Sequence, residues 1–136
     1  MEEKAGEVFS IAKDNMPVPG CTISKEVHGG ENGIIYFSLA KNTDISAEIF
    51  PYHKLLIVAE GSLEVYGTNG YRKVLHAGDS VLTSTDIPIG MKTDTGAVYT
   101  EIEIRRSDIM NEAIKAGEVF RLAELVPYAE GKIVNM

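Results

Sequence analysis

Among the side chains that could bind a metal or move a proton, the three histidines come first. His28, His53 and His76 are the only ones in the 136 residues. A catalytic metal needs about three nitrogen, sulfur or oxygen donors converging on one point, about 2 Å from the ion. These three do not read as such a set. His28 stands in a glycine-rich turn, His28-Gly29-Gly30-Glu31-Asn32-Gly33, and His76 abuts the turn Ala77-Gly78-Asp79, where outward exposure is the default. His53 adjoins Lys54, and in an extended chain the two point to opposite faces. A shifted set using Glu48 and His53 still lacks a third donor.

Other constellations are equally incomplete. The glycine-rich segment is not followed by the lysine and Ser/Thr of a phosphate loop and opens no helix. No serine lies in a nucleophile elbow, and Cys21, the only cysteine, follows Pro19-Gly20 with no histidine nearby in sequence. It cannot pair within the chain, which fits a reducing compartment. The formal net charge of −7 argues against a nucleic-acid partner, because that affinity comes from lysines and arginines neutralising phosphates. The basic pair Arg105-Arg106 sits among Glu101, Glu103 and Asp108 and reads as a solvated strand end. Met1-Glu2-Glu3-Lys4 leads into no apolar run, and no stretch approaches the roughly 20 apolar residues of a membrane span. The expectation is a cytoplasmic protein with no membrane partner.

The elements that would have to position any site are strands. Thirteen glycines, five prolines and many short apolar segments predict an all-β fold of one main domain, large enough to bury a core without a metal or disulfide. Strands are expected at residues 8–12, 22–27, 34–40, 46–50, 55–60, 63–66, 72–75, 80–84 and 97–104. Turns are expected at Glu60-Gly61, Asn69-Gly70 and Gly78-Asp79, with Asn69-Gly70 predicting a type I′ hairpin between paired strands. Leu55 to Ala59 is apolar throughout, so both faces of that strand need cover. Between Ser107 and Gly117 the pattern changes to that of a short helix, capped by Ser107 and ended by Gly117.

The segments Leu55 to Gly67 and His76 to Leu82, with Gly-Ser-Leu-Glu-Val and Ala-Gly-Asp-Ser-Val at their centres, resemble the core of a cupin, a double-stranded β-helix barrel of the jelly-roll type. The resemblance covers about residues 34 to 104. The cupin pattern places two histidines and a glutamate before the first glycine and a third histidine after Gly-Asp. Matched position by position, this chain carries Glu48, Phe50, Lys54 and Ile89 there. The resemblance therefore implies a barrel without the family's metal site and without a cofactor. It puts Glu48, Phe50, Lys54 and Ile89 at the barrel mouth, with Glu48 the expected charge partner of Lys54 and with Tyr36, Tyr52, Tyr66 and Tyr99 along the barrel or its rim.

An internal repeat bears on organisation. Ala5-Gly6-Glu7-Val8-Phe9 recurs as Ala116-Gly117-Glu118-Val119-Phe120, an offset of 111 residues. The chain resembles the N-terminal half of a two-cupin protein, with a barrel domain over 1–106 and, over 107–136, the short helix and the opening segment of a second copy. Two functions follow as expectations. One is a metal-free module that binds a small polar metabolite or serves in regulation or assembly, with a homodimer as the expected state. The alternative is an isomerase or lyase acting on a small sugar acid or carbonyl compound, with Lys54 and Glu48 as acid and base.

Overall fold

A computed structural model describes residues 6–28, 33–104 and 115–121. One short helix, α1 (Ile11–Asp14), precedes nine strands: β1 (Thr22–His28), β2 (Ile34–Leu39), β3 (Thr43–Glu48), β4 (His53–Gly67), β5 (Arg72–His76), β6 (Asp79–Leu82), β7 (Ile89–Thr93), β8 (Ala97–Ile104) and β9 (Val119–Arg121). Every pairing is antiparallel. One sheet runs β1-β2-β8-β4-β6-β9; β5 and β7 join the second half of β4, and β3 pairs with β7. This is the expected all-β barrel.

β4 organises it. Two strands with a reversal at Glu60-Gly61 were expected, but one 15-residue strand runs through both segments. Its register against β8 shifts between Val58 and Glu60, and Gly61 takes a left-handed φ of 76°. A bulge of this kind bends a strand without reversing it. The first half of β4 therefore lies in one sheet, against β6 and β8, and the second half in the other, against β5 and β7. A side chain cannot replace Gly61, since its Cβ would stand 2.1 Å from the Gly96 carbonyl oxygen.

The core lies between the sheets and includes Leu39, Leu56, Val58, Leu63, Val65, Leu75, Val81, Met91 and Tyr99. Leu56 and Val58 of the continuous apolar run enter it. Leu55, Ile57 and Ala59 lie on the outer face, half-buried, where α1 packs against β4 and β8. Phe9 stacks obliquely on Tyr36 of that face, and the Ser38 hydroxyl donates to the Asn15 carbonyl.

Several local expectations need correction. Residues 8–12 form no strand: Ser10 caps α1 by accepting from Lys13 N, and its own amide donates to Asp14. Arg72 pairs with Tyr66, so the hairpin exists, but its loop is longer than a two-residue turn and only Gly70 adopts positive φ. β7 was not expected at all. The helix proposed from Ser107 lies outside the described residues except for its end, where Gly117 has the left-handed φ of 87°. Among the described residues no helix is long and apolar enough to cross a membrane.

Candidate functional site

The four residues expected at the barrel mouth do come together. Glu48 ends β3, Phe50 follows it, Lys54 is the second residue of β4, and Ile89 opens β7 opposite Glu48. With Leu56, Thr83, Ser84 and Met91 they line one small cavity. Its volume is about 10 Å³, room for no more than a single water molecule.

The charge arrangement differs from the expected one. Lys54 Nζ lies 3.4 Å from Glu101 Oε2, and the partner is therefore Glu101 on β8, not Glu48, which stays exposed. Alternation along β8 sends Tyr99 and Glu101 to the same face as core residue Ala97, and the antiparallel register brings that face over the start of β4. Both members of the pair are withdrawn from water: the Lys54 side chain is 12% exposed and that of Glu101 4%. Lys54 Nζ also stands 3.4 Å from the centroid of the Phe50 ring, a cation–π contact on its remaining side. Burial pushes the Glu101 carboxyl above the usual carboxylate range, and the nearby ammonium opposes that rise without cancelling it.

The surrounding polar groups fix this arrangement. Thr83 Oγ1 accepts from the Lys54 amide at 3.0 Å, and His53, on the other face of the strand, donates from Nδ1 to the Thr83 carbonyl at 2.6 Å. Tyr52 donates to Glu103 at 3.1 Å. His76 is exposed beside Asp79, as expected of a rim residue. The four tyrosines separate: Tyr99 is buried in the core, stacked on Phe37, while Tyr36 lies on the outer face and Tyr66 donates to Asp44. The Tyr99 hydroxyl is buried without a partner, and burial drives its pKa upward.

A metal ion does not fit this mouth. It would meet the Lys54 ammonium, the Phe50 ring and the Ile89 side chain, and among the described residues no three of His, Cys, Asp and Glu gather at one point. A larger concavity, ≈ 580 Å³, lies at the other end of the barrel, lined by Pro17, Pro19, Lys41, Glu60 and the Gly61 and Gly96 backbone among others.

No family model and no curated protein matches the sequence. Solved structures do match the fold. A cupin 2 conserved barrel protein from Leptotrichia buccalis aligns over 86% of this chain with a TM-score of 0.69 and 24% identity. A cupin superfamily protein from Desulfitobacterium hafniense aligns over 76% of this chain and 95% of its own, with a TM-score of 0.70 and 12% identity. The chain has the cupin fold. A conserved protein of unknown function from Streptococcus pyogenes also shares it, at a TM-score of 0.71 and 16% identity over 79% of this chain and 94% of that one. This chain spans about half, 51%, of the Leptotrichia chain.

The residue missed from sequence is Glu101. The signal was the apolar alternation of β8, which places Glu101 in line with Tyr99 on a buried face. What the alternation could not supply was the register that sets it beside Lys54.

Proposed function

We propose that this cupin is a binding and assembly module that works through its sheet surfaces, not an enzyme acting at its barrel mouth. The Lys54–Glu101 pair carries the reading. An isomerase or lyase needs an acid and a base that a substrate can reach. Here the ammonium is engaged by Glu101 and by the Phe50 ring, and the adjoining cavity holds at most one water. By the cupin resemblance, Lys54 of this pair falls at one of the positions where the family's pattern would carry a metal ligand.

The half-buried outer positions Leu55, Ile57 and Ala59 support self-association through that sheet, with a homodimer as the simplest state. The repeated Gly-Glu-Val-Phe segment supports an origin in a tandem two-cupin arrangement. The protein would act in the cytoplasm, in keeping with its single free cysteine.

Sedimentation over a wide concentration range, run beside a thermal-shift screen of small polar metabolites, tests this. Concentration-dependent association with no metabolite raising the melting temperature is expected. A metabolite that stabilises the fold and perturbs Lys54, Phe50 and Glu101 would restore the ligand-binding or enzymatic alternative.

A further inference from the structure

The two copies of Gly-Glu-Val-Phe have identical side chains and unequal surroundings. In the second copy, Gly117 carries φ 87°, its amide donates to the Leu82 carbonyl at 2.7 Å, and its own carbonyl accepts from Tyr71 Oη at 2.7 Å. Val119 then pairs with Val81 and packs against the core, and Phe120 pairs with Ser80. The β6 edge, with Tyr71 beside it, thus offers a seat that reads a left-handed glycine by one backbone bond to Leu82 and one side-chain bond from Tyr71, and takes a valine two residues later. In the first copy Gly6 has the same left-handed backbone, φ 82°, but Val8 is 100% exposed. Val8 is thus an apolar strand former in full contact with water beside a glycine already set for the seat, while Phe9 on Tyr36 and the Ser10 cap of α1 are the contacts that docking would exchange.

We propose that residues 6–10 of one copy of this chain dock on the β6 edge of a second copy, in the place held within each chain by residues 117–121. This rests on the assembly reading above and names the contact it uses. Recognition is strand addition: main-chain bonds hold the segment and alternate side chains select it. In the register of the second copy, Val8 falls opposite Val81, Phe9 opposite Ser80 and Ser10 opposite Asp79. The tethered segment competes at an effective concentration of order millimolar, so exchange between chains is held down until the tail is displaced. Because each copy carries both the donor segment and the receiving edge, two copies can exchange segments reciprocally and close as a dimer, and one-way docking would instead run on from unit to unit.

The test uses the full chain in four forms: unmodified, Val8→Asp, Val119→Asp and the double variant. Val8 is wholly exposed, so its substitution should leave the melting temperature unchanged, whereas Val119→Asp places a charge against the core and expels the competing tail. By sedimentation, Val119→Asp should self-associate at least about tenfold more tightly than the unmodified chain, and Val8→Asp added to it should abolish that gain. A folded Val119→Asp chain whose association ignores Val8→Asp overturns the proposal. An unmodified chain that associates under the same insensitivity keeps the assembly reading alone, and four monomeric proteins remove both. If Val119→Asp unfolds, a peptide of residues 5–12 at about millimolar concentration is added to the unmodified chain. It should shift the amide signals of Asp79, Ser80, Val81 and Gly117, and a peptide that leaves them unmoved overturns the docking.

Discussion

Replacing Lys54 by methionine isolates the energetics of the barrel mouth. The change removes the ammonium and keeps most of the side chain's volume, so little of the effect comes from a cavity. At 3.4 Å and an effective dielectric near 20, the attraction to Glu101 is worth about 5 kcal/mol gross, much of it offset by the cost of withdrawing both ions from water. Removing one partner of such a pair leaves the other buried and uncompensated, which costs about 3 kcal/mol. Loss of the Phe50 contact adds about 0.5–1 kcal/mol.

The pH dependence gives a second readout. Glu101 already has a raised carboxyl pKa in the folded chain, because burial outweighs the nearby charge. Between its unfolded and folded pKa values the native state binds more protons, so this group's contribution to stability falls as pH rises through that window. Without Lys54 the folded pKa climbs further and the window widens upward. The variant should be about 3.5–4 kcal/mol less stable than the unmodified chain at pH 8 and should recover much of the carboxylate's share of that deficit near pH 5. Urea unfolding at the two pH values measures both. The double variant Lys54→Met, Glu101→Leu should regain most of the stability at pH 8, since a well-packed apolar pair replaces the ions. A loss under about 0.5 kcal/mol at both pH values would place Lys54 in solvent and refute the closed mouth.

Three further outcomes are expected. Gly61→Ala should cost more than about 3 kcal/mol in chemical unfolding, from a left-handed φ and a Cβ driven onto the Gly96 carbonyl. Tyr71→Phe should remove about 1 kcal/mol and, in hydrogen exchange, speed the amides of residues 117–121 that its hydroxyl anchors. Zn²⁺, Mn²⁺, Fe²⁺ or Ni²⁺ added in excess should leave the melting temperature unchanged, because the mouth presents an ammonium where an ion would sit.

The sequence was informative where local chemistry decides. β8 has the expected bounds and β2 ends one residue early, since alternation and flanking glycines define them. The four mouth residues share one cavity, although their charges pair differently. β7 escaped notice because Gly90 breaks its pattern, and only the fold shows why glycine is there: a Cβ would stand 2.5 Å from the Tyr66 ring. Val8 to Ala12 misled because its apolar residues suit a strand, while Ser10 and Asp14 carry the competing signal of a capped helix. Glu60-Gly61 has the composition of a turn and acts as a bulge, because the strand's onward pairing with β5 and β7 decides between the two. The partner of Lys54 depends on β4–β8 register across almost fifty intervening residues, information that no local window contains.

The length of β4 has a consequence for how the chain reaches this state. Four strands, β5, β6, β7 and β8, take their register from it. Only the β4–β5 hairpin is local, and the remaining pairings must close loops of a dozen or more residues before they gain anything. Such a topology folds on a timescale of about milliseconds to seconds, with the β4–β5 hairpin as the natural first structure. New termini opened at Asn69-Gly70 would cut a surface loop but take away that early hairpin, and should slow folding more than they weaken the finished barrel. New termini at Glu60-Gly61 would divide the common ruler itself, leaving each sheet complete in composition and neither with a way to find its alignment to the other.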